Sequence, residues 1–106
     1  MPRYLFEVSY TPEGARGLVE HGGSARRRAI EESIEAAGGR LEAFYFAFGA
    51  TDAYVIAEHV DNVTAVAQAL AVAASGGATV RTVVLLSPEE IDAASGQEVR
   101  YRPPLA

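Results

Sequence analysis

Arg40-Leu41-Glu42-Ala43-Phe44-Tyr45-Phe46-Ala47-Phe48, then Gly49-Ala50-Thr51-Asp52, then Ala53-Tyr54-Val55-Ile56-Ala57-Glu58-His59-Val60 is the stretch that decides the fold. Two runs rich in aromatic and β-branched residues flank a short segment of turn formers, which predicts a β-hairpin. Upstream, Gly38-Gly39 stops a helix that carries Ala25, Ala29, Ile30, Ile34 and Ala37 at helical spacing, with Ser24 expected as its N-cap. Before that helix, Thr11-Pro12-Glu13 opens a short one to about Glu20, and the run from Arg3 to Tyr10 reads as the first strand. Downstream, Asp61-Asn62 caps a helix from Val63 to about Ser75, and Gly76-Gly77 ends it. Thr79 to Leu86 is the last strand, and Ser87-Pro88-Glu89-Glu90 is a capping box for a final helix to about Ala94. Residues 95–106 read as an extended tail. The order β-α-β-β-α-β, with two short extra helices, predicts an α+β ferredoxin-like fold. Its four-stranded antiparallel sheet has both main helices on one face.

Composition agrees with one domain over residues 1–106. The chain is 49% hydrophobic and 22% charged, values of an ordinary globular protein. A chain of this size is expected to fold to a surface of roughly 5,700 Å². No run reaches the ~20 apolar residues of a membrane span, and no basic-then-apolar leader starts the chain, so a soluble cytoplasmic protein is expected. Net charge −5 argues against nucleic acid as a partner. The absence of cysteine closes off disulfides, thiolate nucleophiles and thiolate-bound metals. All nine basic residues are arginine, so no Schiff-base lysine is present.

Two helices cover one face of a four-stranded sheet, and the other face of a monomer in water should then be polar. The strands do not alternate in that way. Strict alternation from Leu41 puts Ala43, Tyr45 and Ala47 on one face and Phe44, Phe46 and Phe48 on the other, and Val83-Val84-Leu85-Leu86 repeats the two-sided pattern. Burial of three phenylalanines at ~2 kcal/mol or more each would drive a second sheet onto that face, so a homodimer is expected. The helix after Asp61 is apolar nearly all round, with Thr64, Gln68 and Ser75 as its polar stripe. It is a candidate for larger assemblies.

In this order of elements the chain resembles the GYD-domain proteins, a small family of the dimeric α+β barrel superfamily. The resemblance rests on Tyr4-Leu5, Ser9-Tyr10-Thr11-Pro12-Glu13-Gly14-Ala15, Gly22-Gly23-Ser24, Glu42 to Gly49, Ala71 to Gly76 and Tyr101-Arg102-Pro103-Pro104. It implies the fold and a face-to-face dimer, and supplies no catalytic residues. The family's Gly-x-Tyr-Asp turn stands here as Gly49-Ala50-Thr51-Asp52, with threonine in place of tyrosine. A similar glycine-to-aspartate hairpin in the sensing domain of leucine-responsive regulators helps bind amino acids between subunits, a fold-level analogy that makes Gly49 and Asp52 ligand candidates. Plain turn chemistry explains both residues as well.

Other candidates come from local chemistry. Arg26, Arg27 and Arg28 fill the first turn of a helix, against its dipole, and behind a glycine pair they could hold a phosphate or carboxylate. Pairing with Glu31 and Glu32 on a solvated face is the competing reading. By alternation Glu7 shares a face with Ser9, Tyr54 with Glu58, and Arg81 with Thr79. Glu7, Glu42, Glu58 and Arg81 could meet as acid–base pairs or as a salt-bridge cluster. His59 is the other candidate base. Some dimeric α+β barrels bind haem through a histidine, but no metal and no cofactor is expected here. Three functions remain open. The first is a homodimer binding a small anionic or aromatic molecule in or beside the intersubunit barrel. The others are a cofactor-free isomerase, decarboxylase or monooxygenase, and a purely structural assembly unit.

Overall fold

The computed structural model describes residues 1–104; the last two residues of the expected tail, 105–106, lie outside them. The elements are β1 (Arg3–Tyr10), α1 (Pro12–His21), α2 (Gly23–Ala36), β2 (Arg40–Phe46), β3 (Ala53–Glu58), α3 (Asn62–Ala74), β4 (Ala78–Leu85) and α4 (Pro88–Ser95). The strands lie in the order β2-β3-β1-β4 and every neighbouring pair is antiparallel, which is the ferredoxin-like α+β sheet. Helices α2 and α3 cover one face.

The predicted caps account for most boundaries. The Thr11 hydroxyl accepts from the Gly14 N–H (3.2 Å) and the Asp61 carboxylate from the Thr64 N–H (2.8 Å). At α4, Ser87 and Glu90 exchange both bonds of a capping box. Ser24 is not the N-cap of α2. Gly22 holds that place with φ +84° and no side-chain cap, ending α1 and starting α2 at one residue. Gly23 then lies so close to the Phe46 ring that a Cβ would sit 2.9 Å from it.

The core lies between sheet and helices. Tyr4, Phe6 and Val8 of β1, Leu41 of β2, and Ala53, Val55 and Ala57 of β3 are buried against Ile34 of α2 and Ala65 of α3. Phe44 and Phe46 pack edge to face with centroids 5.0 Å apart and join this same layer. The expected alternation of β2 is therefore corrected. A bulge between Leu41 and Ala43 inserts Glu42 as an extra residue, so Leu41 shares the helix face with Phe44 and Phe46 while Ala43 and Tyr45 turn to the open face. Phe48 lies beyond the strand and is exposed. The phenylalanines thus complete the chain's own core and do not supply the open face.

Helix α3 is oriented against expectation as well. Gln68, on its polar stripe, is turned inward to α2, where Gln68 and Ser33 exchange hydrogen bonds of 3.0 and 3.3 Å. Val63, Val66 and Leu70 are left facing solvent.

Candidate functional site

The open face of the sheet gathers the polar strand residues that the sequence singles out. Strand pairing sets them in transverse rows. Arg81 of β4, Glu7 of β1, Tyr54 of β3 and Tyr45 of β2 form one row, and Val83, Leu5, Ile56 and Ala43 form the next. Leu85, Arg3, Glu58 and Arg40 form the third, with Glu42 protruding beside it from the bulge. An apolar band therefore runs between a tyrosine-rich row and a charged row.

The charges are partnered within the face. Arg3 Nε lies 2.6 Å from Glu42 Oε2, an ion pair outside hydrogen-bonding angle. Glu58 takes Arg3 at 3.5 Å and Arg40 at 3.3 Å. Glu42 and Glu58 are thus neutralised by Arg3 and Arg40, and only Glu7 faces Arg81, at a loose 3.9 Å. The Arg81 side chain remains 81% exposed, so its guanidinium is the least committed cation of the face.

Beside the first row stands the hairpin turn. Ser9 Oγ donates to the Ala50 carbonyl (3.0 Å), the Tyr10 N–H donates to Asp52 Oδ2 (2.9 Å), and the Asp52 N–H donates to the Val8 carbonyl (2.8 Å). Asp52 therefore extends the β1 ladder past the end of β3, and its carboxylate is engaged in that bond. A Cβ on Gly49 would meet no atom within 4 Å, so the glycine keeps open space at the tip.

The arginine cluster does not converge. The helical turn separates its members: Arg27 reaches Glu31 at 3.5 Å, Arg28 is exposed, and Arg26 is half-buried with no carboxylate partner among the described residues. Arg26 lines a groove of about 400 Å³ between α1, α2 and the Ser75–Gly77 turn, with Tyr10, Gly17, His21 and Gly22 among its other walls. The sequence reading missed this groove, although Gly22-Gly23 at the α1–α2 junction was a signal for it. A second, apolar cavity of about 30 Å³ lies inside the core between Phe6, Ile34 and Val72, no more than a water's worth of space.

His59 is in neither cavity. It lies on the helix side, fully buried, with ring centroids 6.0 Å from Tyr4 and 5.7 Å from Phe6, and neither ring nitrogen has a hydrogen-bond partner. Burial pushes its pKa below the ordinary value, so the ring is neutral. In this position it touches no solvent and cannot serve as a base for an external substrate. Tyr4 is spent in the core too: its hydroxyl donates to Asn62 Oδ1 at 2.6 Å, and burial with the nearby Asp61 charge raises its pKa.

Among the described residues no group of three histidine, aspartate or glutamate side chains is placed to hold a metal ion, and no helix is long and apolar enough to cross a membrane. Neither the curated proteins nor the solved structures give a match to the chain. The family model described as GYD domain matches residues 4–95, nearly the whole of the folded body, and the chain belongs to the GYD-domain family.

Proposed function

We propose that the protein is a homodimer joined through the open sheet faces, and that it binds a small anionic or aromatic molecule against the row Arg81, Glu7, Tyr54 and Tyr45. One observation carries the reading: the uncovered face sets an apolar band directly beside a row with two tyrosine rings and an under-used guanidinium. Apposing two such bands removes Leu5, Ile56, Val83 and Ala43 from water at roughly 25 cal/mol per Å². The rows at the rim then meet each other across the gap. A ligand with a ring and a carboxylate finds stacking surface in Tyr45 and Tyr54 and a charge partner in Arg81.

The groove at Arg26 supports a second position for the same class of ligand. A half-buried guanidinium without a carboxylate lies against a wall opened by Gly17 and Gly22, where no side chain fills the space. Thermal shift with a panel of small carboxylates and phosphates separates the two positions. Ligand at 100 times its Kd adds about 2.7 kcal/mol to stability. Loss of the shift in Arg81→Gln places the site on the sheet, loss in Arg26→Gln places it in the groove, and no shift with any of the panel refutes binding of this class.

A further inference from the structure

The C-terminal arm makes almost no use of its own chain. Every residue from Pro88 to Pro104 is exposed, and Ile91 (51%), Val99 (74%) and Tyr101 (72%) stand open to water together with Leu86 at the arm's root. Yet the arm is built as structure. Pro88 sits at the first helical position, Ser87 and Glu90 close both bonds of a capping box, and α4 runs eight residues. An eight-residue helix is too short to be stable alone in water, where ~12–15 residues are marginal. A strongly encoded helix with no surface to lie on lacks its partner.

The shape of the chain agrees. A compact chain of this length has a radius of gyration of about 13 Å. The observed value is 16.8 Å, with a longest extent of 55 Å against a shortest of 22 Å. The accessible surface is 7354 Å², roughly 1,700 Å² above that of a compact monomer of this mass. The arm also leaves from a defined place. It follows Leu85, which ends β4 in the open-face row of Arg3, Glu58 and Arg40, so it starts at the rim of the proposed dimer face.

We infer that the arm from Leu86 to Pro104 is an exchanged segment that packs on the body of a second copy of this chain, with Ile91, Val99 and Tyr101 as its anchors. This rests on the open-face dimer proposed above. Reach supports a second copy as the occupant. Eight helical residues span about 12 Å, and the nine that follow extend a further ~30 Å. That is enough to cross a body whose smaller extents are 22 and 35 Å. In a two-fold dimer each arm leaves the shared interface and lies on the other subunit, so one interaction is used twice.

The test uses the full-length protein and three variants: Ile91→Asp with Tyr101→Asp, a chain ending at Ser87, and Ile56→Glu on the open face. Ile91 and Tyr101 are exposed, so their replacement spares the chain's own fold, which circular dichroism checks. Sedimentation velocity across a concentration series reads the dimer constant, and hydrogen exchange reads the amides of α4. The inference expects protected α4 amides in the full-length dimer and a tenfold or greater weakening of dimerisation in both arm variants. An unchanged constant with α4 exchanging at random-coil rates overturns the arm and leaves the open-face dimer standing. Weakening by the arm variants without weakening by Ile56→Glu upholds the arm and removes the open-face reading. A full-length chain that stays monomeric at all concentrations, with unprotected α4, overturns both.

Discussion

The two faces of one sheet differ in how far a single chain completes them. On β1, Phe6 is buried between the sheet and two helices, while its neighbour Leu5, one residue earlier, lies on the uncovered side beside Ile56 and Val83. The helix side is closed by aromatic packing, with Tyr4 bonded to Asn62 and Phe44 set against Phe46. The open side carries six paired charges, Arg3, Glu42, Glu58 and Arg40 in one network and the looser Glu7–Arg81 contact, around an apolar band. Exposed ion pairs of this kind contribute about 0–1 kcal/mol each. The first face therefore provides stability, and the second is the one the proposed dimer would use, with its charges available to set the register.

Neighbouring substitutions separate the two roles. Phe6→Ala is expected to cost about 3–5 kcal/mol of unfolding free energy, read by urea denaturation at nanomolar concentration, because it leaves a cavity in a closed core. Leu5→Ala under the same conditions is expected to cost well under half as much. Equal losses would show that the open side is already covered in the dilute protein. For the proposed dimer the expected order reverses. Ile56→Glu places a charge in the middle of the apolar band and is expected to weaken self-association at least a hundredfold with the far-ultraviolet spectrum unchanged. An association constant within twofold of the parent would show that the band is not the contact.

His59 sharpens the contrast through pH. Its ring is buried among aromatics with both nitrogens unpartnered, and burial lowers its pKa from the ordinary 6.5. Below 6.5 the unfolded chain takes up a proton that the folded chain refuses, so stability falls as pH drops from 6.5 toward the depressed folded value, by up to about 1.4 kcal/mol per pH unit. Above 6.5 this residue contributes no slope. His59→Phe is expected to flatten the dependence between pH 6.5 and 5. A slope that survives the substitution would show that His59 is not its source.

How much of this the sequence discloses depends on the range of the interaction. Caps and turns act within four residues, and Thr11, Asp61 and the Ser87–Glu90 box stand where local chemistry puts them. Element order and the within-strand groups Glu7 with Ser9, Tyr54 with Glu58 and Arg81 with Thr79 follow from strand alternation, and strand pairing then sets all of them on one face. The phenylalanines did not follow, because a single inserted residue at Glu42 reverses every side chain on one side of it and no local signal marks a bulge. The groove at Arg26 and the inward turn of Gln68 depend on which helix faces which. Their partners, Ser75 and Ser33, lie about 50 and 35 residues away in sequence, beyond the reach of periodicity.

The smallest expected effect concerns the turn between β2 and β3. Asp52 accepts from the Tyr10 N–H and donates its own N–H to Val8, so it carries the β1 ladder on to the point where Thr11 begins α1. Were Asp52 chiefly a ligand group, Asp52→Asn would reduce ligand-induced thermal shift and leave the apo protein unaltered. As a ladder group it behaves differently. Asparagine keeps an oxygen for the Tyr10 N–H and loses only the charge, whereas Asp52→Ala leaves that half-buried N–H without its acceptor. The expected apo destabilisation is then about 1–2 kcal/mol for alanine and a few tenths for asparagine, with faster exchange of the Tyr10 amide in the alanine variant alone. Equal effects of the two substitutions would mean that charge, not the acceptor oxygen, is what the turn requires.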